Sequence, residues 1–184
     1  MEILIVLIAI LAIAAIWFII GYNSFIKLKN MIEEAFSTMD VYLKKRYDLI
    51  PNLVETVKGY AAHEAGTLEK VVQARNIAQS SKTIEEKVAS ENMLAGTLKS
   101  LFAVAEAYPD LKANTNFMDL QAQLKRIEDE IANSRKYYNA VVKDFNTKTE
   151  SFPSNIIAGI FKFARKPMFE VEAQEERQNV KVQF

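Results

Sequence analysis

An unbroken apolar stretch near the N-terminus constrains this chain more than any other feature. Residues 3–20, ILIVLIAILAIAAIWFII, carry only apolar side chains, and 24 uncharged residues separate Glu2 from Lys27. An α-helix rises about 1.5 Å per residue, so roughly 20 such residues cross a hydrocarbon core of about 30 Å. The sequence therefore predicts a transmembrane anchor over residues 1–22, with Trp17 and Tyr22 at the membrane–water interface, where aromatic side chains concentrate.

A cleaved signal peptide is the alternative explanation, because Ala12 and Ala14 form a small-x-small pair. A retained anchor is favoured because Glu2 and no basic side chain precede the apolar run, and because the run continues beyond the alanines. Lys27 and Lys29 follow the span, so the positive-inside rule places the N-terminus outside and the rest of the chain in the cytoplasm. We therefore expect a single-pass protein of the cell membrane.

Composition argues against most catalytic and metal sites. The 184 residues include no cysteine and one histidine, which rules out thiolate ligands, cysteine nucleophiles and an all-histidine metal cage. His63 precedes Glu64, but Thr67 stands where the zinc-protease motif needs a second histidine. Lys plus Arg equals Asp plus Glu at 23 each, so no net positive charge attracts nucleic acid. We expect no enzyme, no metal or other cofactor, and no nucleic-acid partner.

Beyond the anchor, the hydrophobic pattern predicts a helical bundle over residues 23–150. Apolar side chains recur at alternating spacings of three and four, which places them on one face of a helix. The clearest such stripe comprises Phe117, Leu120, Leu124, Ile127, Ile131, Ser134, Tyr138, Val141 and Phe145. A second stripe runs from Phe25 to Ile50 and continues past Pro51, where we expect a kink or a tight break. Thr83 and Glu86 have the spacing of a capping box at the start of another helix.

A row of polar side chains lies beside the second stripe. Asp40, Lys44 and Asp48 recur every four residues, and Asn52 extends the row past the proline. Neighbouring pairs on a helix surface contribute only about 0.2 to 0.5 kcal/mol each. The row is therefore either a solvated face or a polar surface that selects a partner and sets its register.

Residues 151–167, SFPSNIIAGIFKFARKP, hold three basic residues and no acidic one. On a helical wheel begun at Pro153, Lys162, Arg165 and Lys166 occupy one face. The opposite face carries Ile156, Ile157, Ile160, Phe161 and Phe163. A short amphipathic helix of this kind lies in an anionic membrane interface, or it closes the bundle with its apolar face. Residues 168–184 form an acidic tail that is either disordered or a strand-like arm.

Three segments resemble signature segments of the LemA family of bacterial and archaeal proteins. They are DVYLKKRYDLIPNLVETVKGYAAHE at 40–64, AYPDLKANTNF at 107–117 and YYNAVVKDFN at 137–146. The resemblance implies an all-α fold in which the membrane anchor precedes an antiparallel up-and-down bundle of the four-helix type. The family brings no catalytic residues. One relative takes part in building magnetosome organelles, and some members are encoded beside membrane metalloproteases.

The predicted function is that of a membrane-anchored scaffold that self-associates and organises or recruits membrane proteins. Small residues in the span permit close approach of helices, which favours a homo-oligomer. These residues are Ala9, Ala12, Ala14 and Ala15. The expected partners are the lipid bilayer, further copies of the chain and other membrane proteins. The alternative is an accessory factor, an adaptor or modulator of a membrane protease or another membrane enzyme.

Overall fold

The computed structural model describes residues 1–169, and the regular structure of this part of the chain is helical throughout. Its helices are α1 (Glu2–Lys58), α2 (Ala65–Ser80), α3 (Ile84–Glu106), α4 (Pro109–Lys112), α5 (Thr115–Glu150) and α6 (Ser154–Phe161), with a 3-10 turn at Ala62–Glu64. The all-α prediction is confirmed. From residue 170 onward, the predicted acidic tail lies outside the described residues.

The chain forms two compact units. The first unit contains residues 1–40 and 132–168, and therefore the apolar N-terminal segment, the second half of α5, and α6. The second unit contains residues 41–131 and Phe169, and therefore the end of α1, all of α2 to α4 and the first half of α5.

Helix α1 buries the stripe that its sequence predicts. In the first unit Phe25, Ile32, Ala35 and Met39 are buried, and in the second unit Leu43, Tyr47, Ile50, Val54 and Val57 are buried. The helix continues through Pro51 to Lys58, so the alternative of a break at the proline is wrong. Pro51 lies on the exposed side, and the chain turns instead at Gly59 to Ala61, where the Ala61 amide donates to the Val57 carbonyl at 2.8 Å.

Helix α5 likewise places its predicted stripe on the buried side. Phe117, Leu124, Ile131, Ser134, Tyr138, Val141 and Phe145 are buried, while Leu120 and Ile127 are half-buried. At the start of α3 the capping box is present, because the Glu86 amide donates to Thr83 Oγ1 at 3.1 Å and the Thr83 amide donates to Glu86 Oε2 at 3.2 Å. Hydrogen bonds from the Lys82 and Thr83 amides lower the pKa of the Glu86 carboxyl.

Candidate membrane and interaction surfaces

The N-terminal part of α1 exposes its apolar side chains over its whole length. Every residue from Met1 to Trp17 is exposed, and none of the most apolar stretch of α1 is buried. Within residues 1–169, α1 is the one helix that is long and apolar enough to cross a bilayer. Because exposure of this much apolar surface to water is unfavourable by about 25 cal/mol per Å², hydrocarbon is the solvent that suits this segment.

Helix α6 packs against α1 where the apolar stretch ends. A Cβ atom added at Gly21 would overlap Cδ1 of Ile157, so the glycine makes room for this side chain. The ring of Phe161 lies 4.5 Å from the ring of Tyr22 and 5.8 Å from the ring of Phe18. These contacts hold α6 beside the last turns of the apolar segment.

A second set of ring contacts follows α6. Phe163 stacks on Phe25 with 4.8 Å between ring centroids, and Phe25 meets Phe145 of α5 edge-on at 5.8 Å. The chain beyond α6 is held to α5 by Asn146, whose side chain donates to the Lys166 carbonyl at 2.9 Å and accepts from the Lys166 amide at 2.8 Å. Aromatic side chains of α1, of α5 and of the segment after α6 thus pack together in the first unit.

Helix α6 is shorter than the helical wheel begun at Pro153 assumed. It ends at Phe161, and Lys162 adopts the left-handed conformation with a φ of 56°. The prediction that Lys162, Arg165 and Lys166 form the polar face of this helix is therefore wrong, because all three follow its last residue. Their side chains are exposed, and Arg165 pairs with Glu150 at 2.7 Å.

The two aromatic interface candidates lie near α6. Trp17 is exposed and lines a shallow depression with Gly21 and Ile157, and Tyr22 is half-buried against Phe161. Both therefore occupy the predicted exit of the span within the first unit.

Lys148 lies in the same region of the first unit. Its ammonium group contacts Ser24 Oγ and lies 5.2 Å from the centre of the Phe25 ring. Desolvation by burial lowers the pKa of Lys148 below its ordinary value. The lysine is thus held in an environment that disfavours its charge.

The predicted polar row of α1 is exposed along its full length. Asp40 belongs to the first unit, and Lys44, Asp48 and Asn52 belong to the second. The exposed position agrees with either interpretation of the row, a solvated face or a partner-selecting surface.

Sequence reasoning missed a charged pair in the core of the second unit. Arg46 is 1% exposed and Glu91 is 0% exposed, and their side chains form an ion pair between α1 and α3. The Nη1 atom of Arg46 also donates to Glu128 Oε1 of α5 at 2.7 Å, where Glu128 is 38% exposed. Arg46 Nε has no hydrogen-bond partner among the described residues. One guanidinium thus links three helices.

Tyr47 extends this cluster to α2. Its hydroxyl contacts the Glu91 carboxylate and lies 3.3 Å from the Ala78 carbonyl oxygen, and these are two acceptors for its single proton. Arg75 Nε of α2 donates to the Tyr47 carbonyl at 2.7 Å. A usable signal was present in the spacing: Arg46 falls within the apolar stripe of α1, and Glu91 precedes the buried Leu94 by three residues. Charged residues at stripe positions indicate a buried pair.

An open apolar groove of about 550 Å³ lies between α3 and α5 in the second unit. Its lining residues are Ala95, Leu98, Lys99, Phe102, Met118, Gln121, Ala122, Leu124, Lys125 and Glu128. Met118 is 46% exposed, whereas Leu98 and Leu124 form the buried floor. Lys99 and Lys125 are exposed at the groove, and Glu128 joins it to the buried charged cluster.

His63 and Glu64 lie in the 3-10 turn, with His63 exposed and Glu64 half-buried. No group of three or more His, Cys, Asp or Glu side chains with the geometry of a metal site occurs within residues 1–169. Among the described residues, the groove and the apolar span are two of the candidate surfaces for recognition.

The chain is similar in sequence to known proteins. The sequence profile of the LemA family matches residues 35–184. Protein LemA of Metamycoplasma hominis is 29% identical over 140 residues, which cover 74% of this chain and 63% of that protein. Magnetosome protein MamQ 2 of Paramagnetospirillum magneticum is 23% identical, with coverage of 81% and 64%, and magnetosome protein MamQ of Magnetospirillum gryphiswaldense is 22% identical, with coverage of 80% and 64%. The chain thus spans somewhat less than two thirds of the length of these curated relatives.

Proposed function

The chain belongs to the LemA family and is a membrane-associated helical protein, and we propose that it serves as a membrane-anchored interaction protein that recruits other membrane proteins and associates with its own copies. In this proposal α1 holds the chain in the cell membrane, with the N-terminus outside and the helical units in the cytoplasm. Similarity to proteins that are named magnetosome proteins is compatible with such a role.

The groove between α3 and α5 is the observation that carries the proposal. Grooves between helices accept the apolar face of an amphipathic helix, whose anchoring side chains recur every three to four residues. The floor of Leu98 and Leu124, with the half-buried Phe102 beside it, supplies the apolar surface for such anchors. Lys99 and Lys125 add positive charge at the groove, which favours a helix with acidic residues beside its apolar face.

A cross-linking experiment tests this docking surface. A photoreactive benzophenone side chain at Met118, within the groove, should cross-link in intact cells to discrete membrane proteins or to a second copy of the chain. Ala122 lies exposed in the groove, so Ala122→Arg should fill it with a charged side chain and abolish the cross-links. Ala132→Arg, at an exposed position of α5 outside the groove, is the matched control. Cross-links that survive Ala122→Arg, or none in the parent, would contradict the proposal.

Self-association is the second part of the proposal, and the span supports it. Its alanines permit close helix packing, and confinement to a membrane raises the effective concentration of neighbouring copies. The exposed row of Asp40, Lys44 and Asp48 would set the register between copies by matching opposite charges. We expect the full chain to form a defined multimer in nanodiscs, and a chain that starts at Asn23 to be monomeric. A full-length monomer at high surface density would refute this part.

The proposal assigns no reaction to the chain. The exposed His63 and its neighbour Glu64 are the pair most similar to a catalytic motif, and we expect His63→Ala and Glu64→Gln to retain both fold and cellular role. Loss of the cellular role in a variant with an unchanged circular dichroism spectrum would contradict this assignment.

A further inference from the structure

We propose that α6 and the basic segment after it form a binding surface for anionic phospholipid, in the bilayer interface at the exit of α1. Apolar side chains of α6 would insert between acyl chains, and Lys162 and Lys166 would contact headgroup phosphates. The inference rests on the membrane anchoring by α1 in the proposed function, and it is independent of partner docking to the groove.

The composition of α6 is the first observation. Its sequence, SNIIAGIF, contains no charged side chain, yet only Ile157 and Ala158 are buried. Ile156 and Ile160, four residues apart on one side of the helix, are 49% and 59% exposed, and Phe152 just before the helix is 80% exposed. A surface helix that is apolar on its buried and exposed sides alike is typical of contact with lipid or with another protein.

The position of α6 indicates that its exposed apolar surface contacts lipid rather than another protein. Ile157 occupies the space above Gly21, and Phe161 contacts Phe18, which lies inside the apolar run, and Tyr22, which follows it. If residues 3–20 fill the hydrocarbon core, α6 lies at its boundary, where amphipathic and aromatic segments insert. The exposed apolar surface of α6 is thus continuous with the apolar surface of the span.

The charges near α6 select the headgroup. Residues 151–167 contain Lys162, Arg165 and Lys166 and no acidic residue. Arg165 is paired with Glu150, whereas Lys162 and Lys166 are exposed and form no ion pair with any residue of the described part of the chain. Each basic side chain at a membrane surface raises the local concentration of anionic lipid about fivefold.

Fluorescence quenching by brominated lipid tests both parts of this inference. The full chain, carrying Trp17→Phe and Ile160→Trp, is reconstituted in nanodiscs of phosphatidylcholine with an equal, minor mole fraction of brominated phosphatidylcholine or brominated phosphatidylglycerol. We expect Trp emission at position 160 to be quenched by both lipids, and more strongly by the phosphatidylglycerol. The added substitutions Lys162→Gln and Lys166→Gln should remove that preference and leave quenching by phosphatidylcholine unchanged.

Two controls separate this inference from the anchoring on which it rests. The native Trp17 reports insertion of α1, so an unquenched Trp17 in the parent chain would refute the anchoring itself. Met93→Trp, at an exposed position of α3 in the Trp17→Phe background, should remain unquenched. With Trp17 quenched, an unquenched Trp at position 160 would overturn the lipid surface, and a blue-shifted but unquenched emission would identify a protein contact in its place. Equal quenching by the two brominated lipids would overturn the phosphate contact.

Discussion

Removal of the Arg46 side chain should destabilise the second unit more than any surface substitution on α1. Arg46→Met keeps the length of the side chain and removes its charge, which takes the Arg46 ion pair away from a Glu91 carboxylate that is 0% exposed. Removal of one partner of a buried ion pair costs about 3 to 5 kcal/mol. The Tyr47 hydroxyl still contacts Glu91, so we expect the lower end of that range, about 3 kcal/mol.

The double variant Arg46→Met, Glu91→Leu separates the pair from its surroundings. Apolar replacement of both partners of a buried pair is often neutral or stabilising. Arg46 Nε already lacks a hydrogen-bond partner among the described residues, and Glu128 at 38% exposure remains hydrated when the guanidinium is gone. We therefore expect the double variant to regain most of the stability that the single variant loses.

Thermal unfolding of the full chain in detergent micelles, followed by far-ultraviolet circular dichroism, measures these differences. For a domain of this size a loss of 3 kcal/mol lowers Tm by about 6 to 12 °C. Lys44→Met, an exposed substitution on the same helix, serves as the control and should stay within about 0.5 kcal/mol of the parent. The reasoning fails if Arg46→Met unfolds at the same temperature as Lys44→Met, or if the double variant is no more stable than the single one.

Three further predictions concern the cap, a shifted lysine and the topology. Thr83→Ala should destabilise α3 by about 1 kcal/mol in denaturant titrations. Glu86→Gln should lower the stability at neutral pH, and this loss should vanish as pH falls through the lowered pKa of Glu86. A loss of stability in Glu86→Gln that persists in acid would contradict the cap. Because the pKa of Lys148 is lower in the folded than in the unfolded chain, the free energy of unfolding should rise with pH between the folded and the unfolded pKa. Lys148→Met should remove that rise. An identical pH profile of stability for the parent and the variant would refute this prediction. A single cysteine at Ser151 should be protected from an impermeant thiol reagent in intact cells and react after lysis, whereas labelling before lysis would reverse the proposed orientation.

Hydrophobic periodicity predicted the helices because each helix buries one face. The stripe of α5 is buried at the positions that alternate spacing indicates, and the Thr83–Glu86 pair caps α3 through a local contact that depends on residues three apart. The tight break expected at Pro51 is absent: the proline lacks the amide that would donate to the Tyr47 carbonyl, and Arg75 Nε of α2 donates to that carbonyl at 2.7 Å in its place. The break falls at Gly59 instead, where the chain leaves α1.

Hydrophobic periodicity could not predict the charged cluster or the groove. Arg46 and Glu91 are 45 residues apart, and whether a charge at a stripe position is paired or exposed depends on which helix packs against it. The groove is the space that α3 and α5 leave unfilled, which depends on the distance between helices rather than on either sequence. Composition shows the basic residues near α6, but the helix ends at Phe161, where Lys162 adopts the left-handed conformation, which a helical wheel does not consider.

The continuity of α1 within the first unit couples rotation of the span to the packing of the helices. No break separates the span from Phe25, so the side of α1 that receives α6 at Gly21 sets the direction of the α1 side chains from Phe25 to Met39. At about 100° per residue, Ala9, Ala12 and Ala15 lie roughly on the opposite side of the helix from Gly21 and Phe25. Inserting one residue after Tyr22 would turn this alanine side, together with Gly21 and its contact to α6, by about 100° relative to Phe25 and α5, without changing the apolar length of the span. Neighbours packed on the alanine side would be displaced, while insertion into the bilayer would be unchanged.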